Sequence, residues 1–206
     1  MPTLEAGDFY KNVNSSWIET HSGIHFSLDA PEFTPKDIAH ALANLCRFNG
    51  HVSKYYSVAE HSMMVSAIVY DWGGNKEQCL EALLHDATEA YMSDVPAPFK
   101  QLLPDWKKLD SELDTKLREW AGLPKDKTGI VKDADWVALF IEAYYLIPDK
   151  GESFHGPEGM RQVALDFMRD KGYTVFNLQP DLAERSFLAS WADLAEDNSD
   201  SRISFG

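Results

Sequence analysis

Three segments of this sequence carry histidine or aspartate where the neighbouring residues are those of a helix core. His61 lies in an apolar helical segment, the pair His85-Asp86 follows two leucines, and Asp135 precedes an apolar run that reaches Leu146. Burying such side chains is costly unless they are paired with one another or bound to a metal ion. Two imidazoles and two carboxylates form a mixed nitrogen and oxygen set, which suits Mn, Co, Fe or Zn better than Ca. The residue types therefore predict a site for one divalent transition-metal ion, with Mg as a further option.

Each of these residues also has a purely structural interpretation when it is taken alone. A histidine beside apolar neighbours is more often a hydrogen-bonded core residue than a ligand, and a His-Asp pair occurs by chance in many proteins. Asp135 alone fits the first turn of a helix, and Asp133 competes with it as a ligand. The combination favours a metal site, because Glu89 follows His85 by four residues and would share its helix face. Glu89 is then expected beside the metal ligands rather than among them.

The first two helices have clear N-terminal signals. Thr34 supplies an N-cap, and the proline that follows it occupies the first helical position, so a helix begins there. Ser57 and Glu60 fit the S-x-x-E capping box, which predicts a second helix over about 58–72. His61 then lies one turn into this second helix.

Five further helices are expected after these two. Periodicity, together with glycine and proline stops, predicts them over about 76–91, 105–120, 128–146, 157–172 and 180–196. The first of the five contains His85-Asp86, and the third contains Asp135. Residues 23–28 alternate enough to form a short strand or hairpin. The sequence thus predicts an all-α, single-domain bundle of about seven helices over residues 1–196, with residues 197–206 as a mobile tail.

Size and charge restrict the classes of protein to which the chain can belong. Its 206 residues suit one domain with a sizeable core. The net charge of −14 repels a polyphosphate backbone, so we do not expect a nucleic-acid polymer as a partner. Small phosphorylated substrates stay compatible with this charge if a metal ion and two or three basic side chains concentrate positive charge locally.

The sequence predicts neither a membrane span nor a secretory leader. Of the two densest apolar stretches, one is too short to cross a bilayer and the other is interrupted by Glu142. The N-terminus carries Glu5 and Asp8 and lacks a basic flank and an apolar region. Cys46 and Cys79 have no metal-ligand spacing, which favours a reducing compartment. We therefore expect a cytoplasmic protein.

The order of these chemical groups resembles a known enzyme superfamily. A histidine, a His-Asp pair and a later aspartate on successive helices resemble the HD-domain phosphohydrolases. The resemblance extends over the segments DIAHAL (37–42), CRFNGH (46–51), YSVAEHS (56–62), LLHDATEAY (83–91) and DVPAPFK (94–100). These look like the branch that contains bacterial 5'-deoxynucleotidases and phage-type dATP triphosphohydrolases, and the similarity covers about residues 17–146.

The resemblance implies roles for the residues that could hold and use the metal. His61, His85, Asp86 and Asp135 match the metal ligands of the superfamily. Glu89 matches the residue that positions or deprotonates the attacking water.

It also implies roles for five residues around the metal. Asp94 matches a carboxylate that can assist as acid or base. Arg47 and Lys100 match phosphate contacts, with ordinary surface charge as the alternative interpretation. Phe48 and His51 fall where members of the superfamily place groups that contact the base or sugar, and Phe48 suits a core position equally well.

The resemblance implies a metal-dependent phosphohydrolase of small (deoxy)nucleotides that acts through a metal-bound water, and a homo-oligomer of two or more chains. A 5'-deoxynucleotidase that releases phosphate from dNMPs is favoured, because a triphosphate would call for more basic residues than Arg47, Lys54 and Lys100. A dNTP triphosphohydrolase that releases tripolyphosphate is the alternative. A non-catalytic nucleotide sensor is disfavoured, since Glu89 and all the ligands are present.

Overall fold

A computed structural model describes residues 17–195 of the chain, and within them the architecture is all-α with one small hairpin, as the sequence predicts. The predicted tail 197–206 lies outside the described residues. The strands are β1 (Trp17–Glu19) and β2 (His25–Ser27). The helices are α1 (Pro35–Asn44), α2 (Val58–Asp71), α3 (Lys76–Leu83), α4 (Glu89–Met92), α5 (Ala97–Lys100), α6 (Pro104–Trp120), α7 (Gly129–Leu146), α8 (Met160–Lys171) and α9 (Pro180–Ala195). A 3₁₀ turn at Arg47–Gly50 lies between α1 and α2.

The hairpin is fastened to the helices by one aromatic residue and one carboxylate. β1 and β2 pair antiparallel, and the buried Phe26 of β2 stacks on Tyr91 with ring centroids 3.8 Å apart. Asp37 in the first turn of α1 accepts hydrogen bonds from the Ser22 amide at 2.8 Å and the Thr20 hydroxyl at 3.0 Å. The strand predicted over 23–28 is thereby confirmed.

The start of α2 is as predicted, but Glu60 has a different partner. The Ser57 hydroxyl accepts from the Glu60 amide at 3.1 Å and caps the helix. In a capping box the Glu60 carboxylate would bind the Ser57 amide. Here it accepts instead from the amides of Phe176, Asn177 and Leu178 at 2.6–3.0 Å. Three donors outcompete one, and the carboxylate joins α2 to the α8–α9 connection.

The third predicted helix is broken where it carries the His-Asp pair. Hydrogen-bonded turns separate α3 from α4. His85 Nδ1 donates to the Ala82 carbonyl at 2.7 Å, which the Asp86 amide would bind in a continuous α-helix. The Lys127 ammonium donates to the His85 carbonyl at 2.7 Å, which the Glu89 amide would otherwise bind. The prediction of one continuous helix here is therefore wrong, because side chains take two of its carbonyls.

The remaining boundaries differ from the predictions by small amounts. α6 begins at Pro104, so Asp105 lies in its first turn and Leu103 is the N-cap. α7 begins directly after its N-cap Thr128, and α8 ends before Gly172. The short α5 was not predicted. Within the described residues there are nine α-helices rather than about seven, because the third is split and α5 is added.

Helix α2 lies at the centre of the described part of the chain. It packs against α1, α3, α7 and α9. One buried apolar cluster joins α1, α3 and α9 around Phe187 and Trp191, and a second joins α2, α7 and α8 around Ile68 and Ile141. His61 lies on this helix and is completely buried among the helices packed against it. No helix in the described residues has the length and apolar character needed to cross a membrane.

Candidate metal centre

The four predicted metal ligands converge from α2, the α3–α4 turn and α7. Nε2 of His61 lies 3.3 Å from Nε2 of His85. Oδ2 of Asp86 is 3.6 and 3.2 Å from these two nitrogens, and Oδ1 of Asp135 is 3.2 and 3.7 Å from them. The ligand atoms of His61, His85 and Asp86 all lie within 4.8 Å of one another, as a shared metal ion requires.

The outer nitrogens of both imidazoles are already engaged by acceptors. Nδ1 of His61 donates to Oε1 of Glu142 at 2.6 Å, and Nδ1 of His85 donates to the Ala82 carbonyl. Because a carbonyl and a carboxylate only accept, each Nδ1 carries a hydrogen and each neutral ring turns its Nε2 lone pair inward. Two lone pairs and two carboxylates then face one point. This donor set fits a divalent cation.

Without a cation, protons hold the same groups together. Burial opposes a charge on His85, but the negative charge of Asp86 and hydrogen bonds to Asp135 raise the pKa of the imidazole to about 10. Burial likewise works against the charge of Asp86 and Asp135, yet the imidazoles hold the pKa of both carboxyls well below the usual range. A metal ion that binds here replaces imidazole protons.

The choice between the two aspartates of α7 is decided by the helix rotation. Asp135 faces the histidines, whereas Asp133 is exposed. A separation of two residues on an α-helix corresponds to a rotation of roughly 200°, so the two side chains point in nearly opposite directions. The Asp135 side chain is still 44% exposed, which makes it the member of the cluster nearest to solvent.

Glu89 lies beside the ligands with one oxygen unpaired. Its carboxylate is buried, and Oε1 accepts from the Lys100 ammonium at 3.1 Å. Oε2 is buried and has no hydrogen-bond partner among the described residues. Burial, together with the charges of Asp86 and Asp94, raises the pKa of Glu89 to about 8. A buried carboxyl with a raised pKa and a free oxygen, next to a metal site, is typical of a catalytic acid or base.

The two predicted phosphate contacts also lie at this site. The guanidinium of Arg47 is buried, with Nε 3.1 Å from Oε2 of Glu142 and Nη1 3.8 Å from Oδ2 of Asp86. Lys100 is partly buried against Glu89. Ordinary surface charge is therefore the wrong interpretation for Arg47.

The 3₁₀ turn carries Phe48, one of the two predicted base or sugar contacts, in an unusual backbone conformation, and His51 follows directly after the turn. Phe48 and Asn49 have φ values of 55° and 51°, a left-handed region that side chains rarely adopt and that often marks functional sites. Phe48 is partly exposed and faces Phe154, with ring centroids 6.3 Å apart, so it is not a core residue. His51 is exposed at the end of the turn, and no contact within residues 17–195 joins it to the ligands.

A cavity of about 510 Å³ opens beside Asp94. It is lined by Asn49, Ser93, Asp94, Val95, Pro96, Phe99, Leu102 and Leu103. Asp94 bears electrostatically on both Glu89 and Arg47, so this cavity opens near those two side chains. Another cavity, of about 390 Å³, lies against α2 and the α8–α9 connection, and none of the predicted site residues lines it.

Sequence reasoning assigned no role to Glu142, Tyr56 and Lys127. Glu142 is completely buried on α7 and accepts from His61, Tyr56 and Arg47. The available signal was a glutamate inside an apolar run, seven residues after Asp135 and so on the same helix face. Tyr56 and Lys127 offered no comparable signal.

Comparison with known proteins identifies relatives but no activity. No family model matches the chain. It is 39% identical over 184 residues to the uncharacterized protein YfdR of Escherichia coli, which covers 88% of this chain and 97% of YfdR. It is 33% identical over 143 residues to an uncharacterized protein of Rhodobacter capsulatus, which covers 64% of this chain and 73% of that protein. Kinship is thus shown, and the chemistry has to be argued from the site.

Proposed function

The chain belongs to the family of the Escherichia coli protein YfdR, and we propose that it is a metal-dependent phosphohydrolase of the HD-domain type that cleaves phosphate from deoxynucleoside monophosphates. One observation carries the proposal. Inward-facing nitrogens of His61 and His85 and carboxylates of Asp86 and Asp135 converge beside a buried Glu89 that has a free oxygen.

The four ligands suit an ion that accepts both nitrogen and oxygen donors, such as Mn, Co, Fe or Zn, with Mg as a weaker match. When bound, a divalent ion makes water a better nucleophile at neutral pH and offsets negative charge on the phosphoryl group. The tautomers that Glu142 and the Ala82 carbonyl impose on the two histidines prepare their Nε2 atoms for such an ion.

Glu89 is assigned the proton transfer. Its Oε1 is anchored by Lys100, so Oε2 points in a defined direction and can orient a water molecule and accept its proton. A pKa of about 8 in the metal-free protein lies close to physiological pH, where a general base is most effective. A nearby cation would lower this pKa and increase the ionised fraction.

Arg47 and Lys100 are assigned the phosphate. A guanidinium can bind two oxygens with parallel N–H groups, and the outer nitrogens of Arg47 lie on the side of Asp86. These two cations supply the local positive field that a chain with a net charge of −14 needs for an anionic substrate. Two basic side chains match a single phosphate better than a triphosphate.

Asp94 and the cavity beside it are assigned to the leaving nucleoside. The carboxyl of Asp94 can assist as an acid or a base at the departing 5' oxygen. Phe99, Leu102 and Leu103 supply an apolar wall, and Asn49 and Ser93 supply polar groups, which is the usual composition of a small-molecule site.

Product analysis tests the proposal. The protein is loaded separately with Mn, Co, Zn and Mg and offered a panel of dNMPs and dNTPs. We expect inorganic phosphate and nucleoside from the monophosphates alone. Tripolyphosphate and nucleoside from a dNTP would instead assign the protein to the triphosphohydrolases. No turnover by protein that demonstrably binds metal would overturn the proposal and favour a nucleotide sensor.

A further inference from the structure

The carboxylate of Glu142 has different partners on its two oxygens. Oε1 accepts from Nδ1 of His61 at 2.6 Å and from the Tyr56 hydroxyl at 3.1 Å. Oε2 accepts from Nε of Arg47 at 3.1 Å. The side chains of Glu142 and His61 are fully buried, and that of Arg47 is 11% exposed. The carboxylate of Glu142 therefore contacts both the candidate metal ligand His61 and the buried Arg47, to which phosphate binding is assigned.

We propose that Glu142 is a positioning residue that couples the cation site to the phosphate site. It holds His61 in the tautomer that binds metal, and it holds Arg47 in the orientation that binds a phosphate. The second half of this inference rests on the proposed function, in which Arg47 contacts the substrate phosphate.

The hydrogen bond between Nδ1 of His61 and Glu142 fixes the tautomer of the imidazole. An imidazole that donates from Nδ1 presents Nε2 as a lone pair, and a carboxylate acceptor also makes that nitrogen more basic. The Nδ1–Oε1 distance of 2.6 Å is that of a strong, charge-assisted bond. With both residues fully buried, bulk water has no access to replace Glu142 as the acceptor.

The contact between Nε of Arg47 and Glu142 fixes the orientation of the planar guanidinium. Its five N–H groups form a rigid planar fork, so fixing Nε leaves little freedom for the outer nitrogens. With Nε on Glu142, Nη1 lies 3.8 Å from Asp86, on the side where the ligands converge. Preorganising a cation in this way reduces the entropy lost when an anion binds.

A purely structural role would differ from this one in a measurable way. A buried ion pair that only joined α7 to the 3₁₀ turn would affect stability, because removing one partner leaves the other charge buried and unpaired. It would not alter metal affinity or phosphate affinity in protein that is still folded. A positioning role alters both.

The variant Glu142→Gln tests the proposal, because an amide carries no negative charge and has only one acceptor oxygen. The bonds to His61 and to Arg47 both lose their charge assistance, and the amide nitrogen faces one of the two donors. We expect Co²⁺ affinity, measured by chelator competition without substrate, to fall about 10-fold or more. The visible spectrum of the Co²⁺-loaded protein should change as well. Inorganic phosphate should bind the metal-saturated variant more weakly, and the KM for dNMP hydrolysis should rise.

Tyr56→Phe is the matched control. Tyr56 is fully buried and donates to the same oxygen of Glu142, but phenylalanine keeps its volume and leaves Glu142 charged. Metal and phosphate affinities should stay close to those of the wild-type protein. Should Glu142→Gln fail to fold, Glu142→Asp replaces it, since it keeps the charge that Arg47 needs while withdrawing the carboxylate by one methylene.

Two results would overturn the proposal. The first is a folded Glu142→Gln protein that binds both Co²⁺ and phosphate as the wild type does. The second is weaker metal binding with unchanged phosphate affinity at metal saturation, since the coupling would then be absent. Weaker binding of both, in a protein whose wild type hydrolyses no nucleotide, would support the coupling and refute the proposed function.

Discussion

Glu89 is held in an environment that is unfavourable to its charge. It is buried near Asp86 and Asp94, and its free Oε2 has no partner among the described residues. A core that served stability alone would place an apolar residue here, or a carboxylate with both oxygens bonded. This local cost is the strongest residue-scale argument for a catalytic role.

Replacing Glu89 with glutamine should separate catalysis from metal binding. Glutamine fills the same space but accepts no proton, so we expect dNMP hydrolysis to fall at least about 100-fold. Metal affinity should stay near the wild-type value, since Glu89 is not among the proposed ligands. Steady-state kinetics and chelator competition on the same preparation measure the two effects. A variant with normal rates would remove Glu89 from the mechanism.

The same substitution should change how stability depends on pH. The Glu89 carboxyl has a pKa of about 8 in the folded protein, against an ordinary value of 4.5. At pH values below both pKa values, the carboxyl is neutral in the folded and the unfolded protein and does not lower the free energy of unfolding. At pH values above both, the carboxyl is charged in the unfolded protein, and folding must bury that charge. Wild-type protein therefore loses stability through this group between about pH 4.5 and about pH 8, by up to about 1.4 kcal/mol per unit of pKa difference.

Urea unfolding in the presence of a chelator measures this difference. Glu89→Gln should exceed the wild type in unfolding free energy more at pH 9 than at pH 5, by up to about 4 kcal/mol. Equal differences at both pH values would show that the folded protein does not raise this pKa.

At the scale of the elements, α2 is held at its N-terminal end by two different devices. Ser57 caps the helix, and Glu60 binds three amides of the α8–α9 connection. The first device acts within the helix, and the second joins elements more than 100 residues apart in sequence, since Glu60 and Phe176 are separated by 116 positions. Together they hold α2, and hence His61, against the rest of the molecule.

Two alanine substitutions distinguish these devices. Ser57→Ala should lower the unfolding free energy by about 1 kcal/mol, as is usual for loss of an N-cap. Glu60→Ala should cost more, roughly 2–4 kcal/mol, because it deprives several part-buried amides of their acceptor. Urea denaturation of both variants supplies the comparison. Equal losses would indicate that Glu60 acts within a capping box and that its bonds to 176–178 contribute little.

At the scale of the whole molecule, the candidate metal ligands come from three places in the chain that only folding brings together. An ion that binds His61, His85, Asp86 and Asp135 jointly therefore binds the folded state and stabilises it by mass action. The gain is about 2.7 kcal/mol when the free ion is at 100 times its dissociation constant. Excess Co²⁺ or Mn²⁺ should raise the melting temperature, and a chelator should reverse the effect.

The two aspartates of α7 provide a matched test of this stabilisation. Asp135→Asn should greatly reduce the rise in melting temperature caused by metal. Asp133→Asn, an equal change of charge at an exposed position of the same helix, should respond to metal as the wild type does. Identical responses of the two variants would argue against Asp135 as a ligand.

Sedimentation of the metal-loaded protein would test the homo-oligomer that the resemblance to the HD-domain phosphohydrolases implies.

Much of the architecture could be predicted from the sequence because its signals are local. The N-caps of α1 and α2, the ranges of α6 to α9 and the strand at 25–27 follow from periodicity and from proline, glycine and hydroxyl residues within a few positions. The four ligands and Glu89 could be proposed as well. Polar residues in apolar helical segments can be recognised from the sequence alone, because their burial requires a partner.

Only the tertiary structure decided which partners those polar residues have. The break between α3 and α4 depends in part on Lys127, which lies 42 residues after the His85 carbonyl that it binds. Glu142 reaches His61 across 81 positions and Arg47 across 95. Hydrogen bonds act over about 3 Å, so no pattern of neighbouring residues specifies them across such separations. The residue types by themselves predicted a metal site, and the packing of α2 against α7 determined how the residues of that site are held.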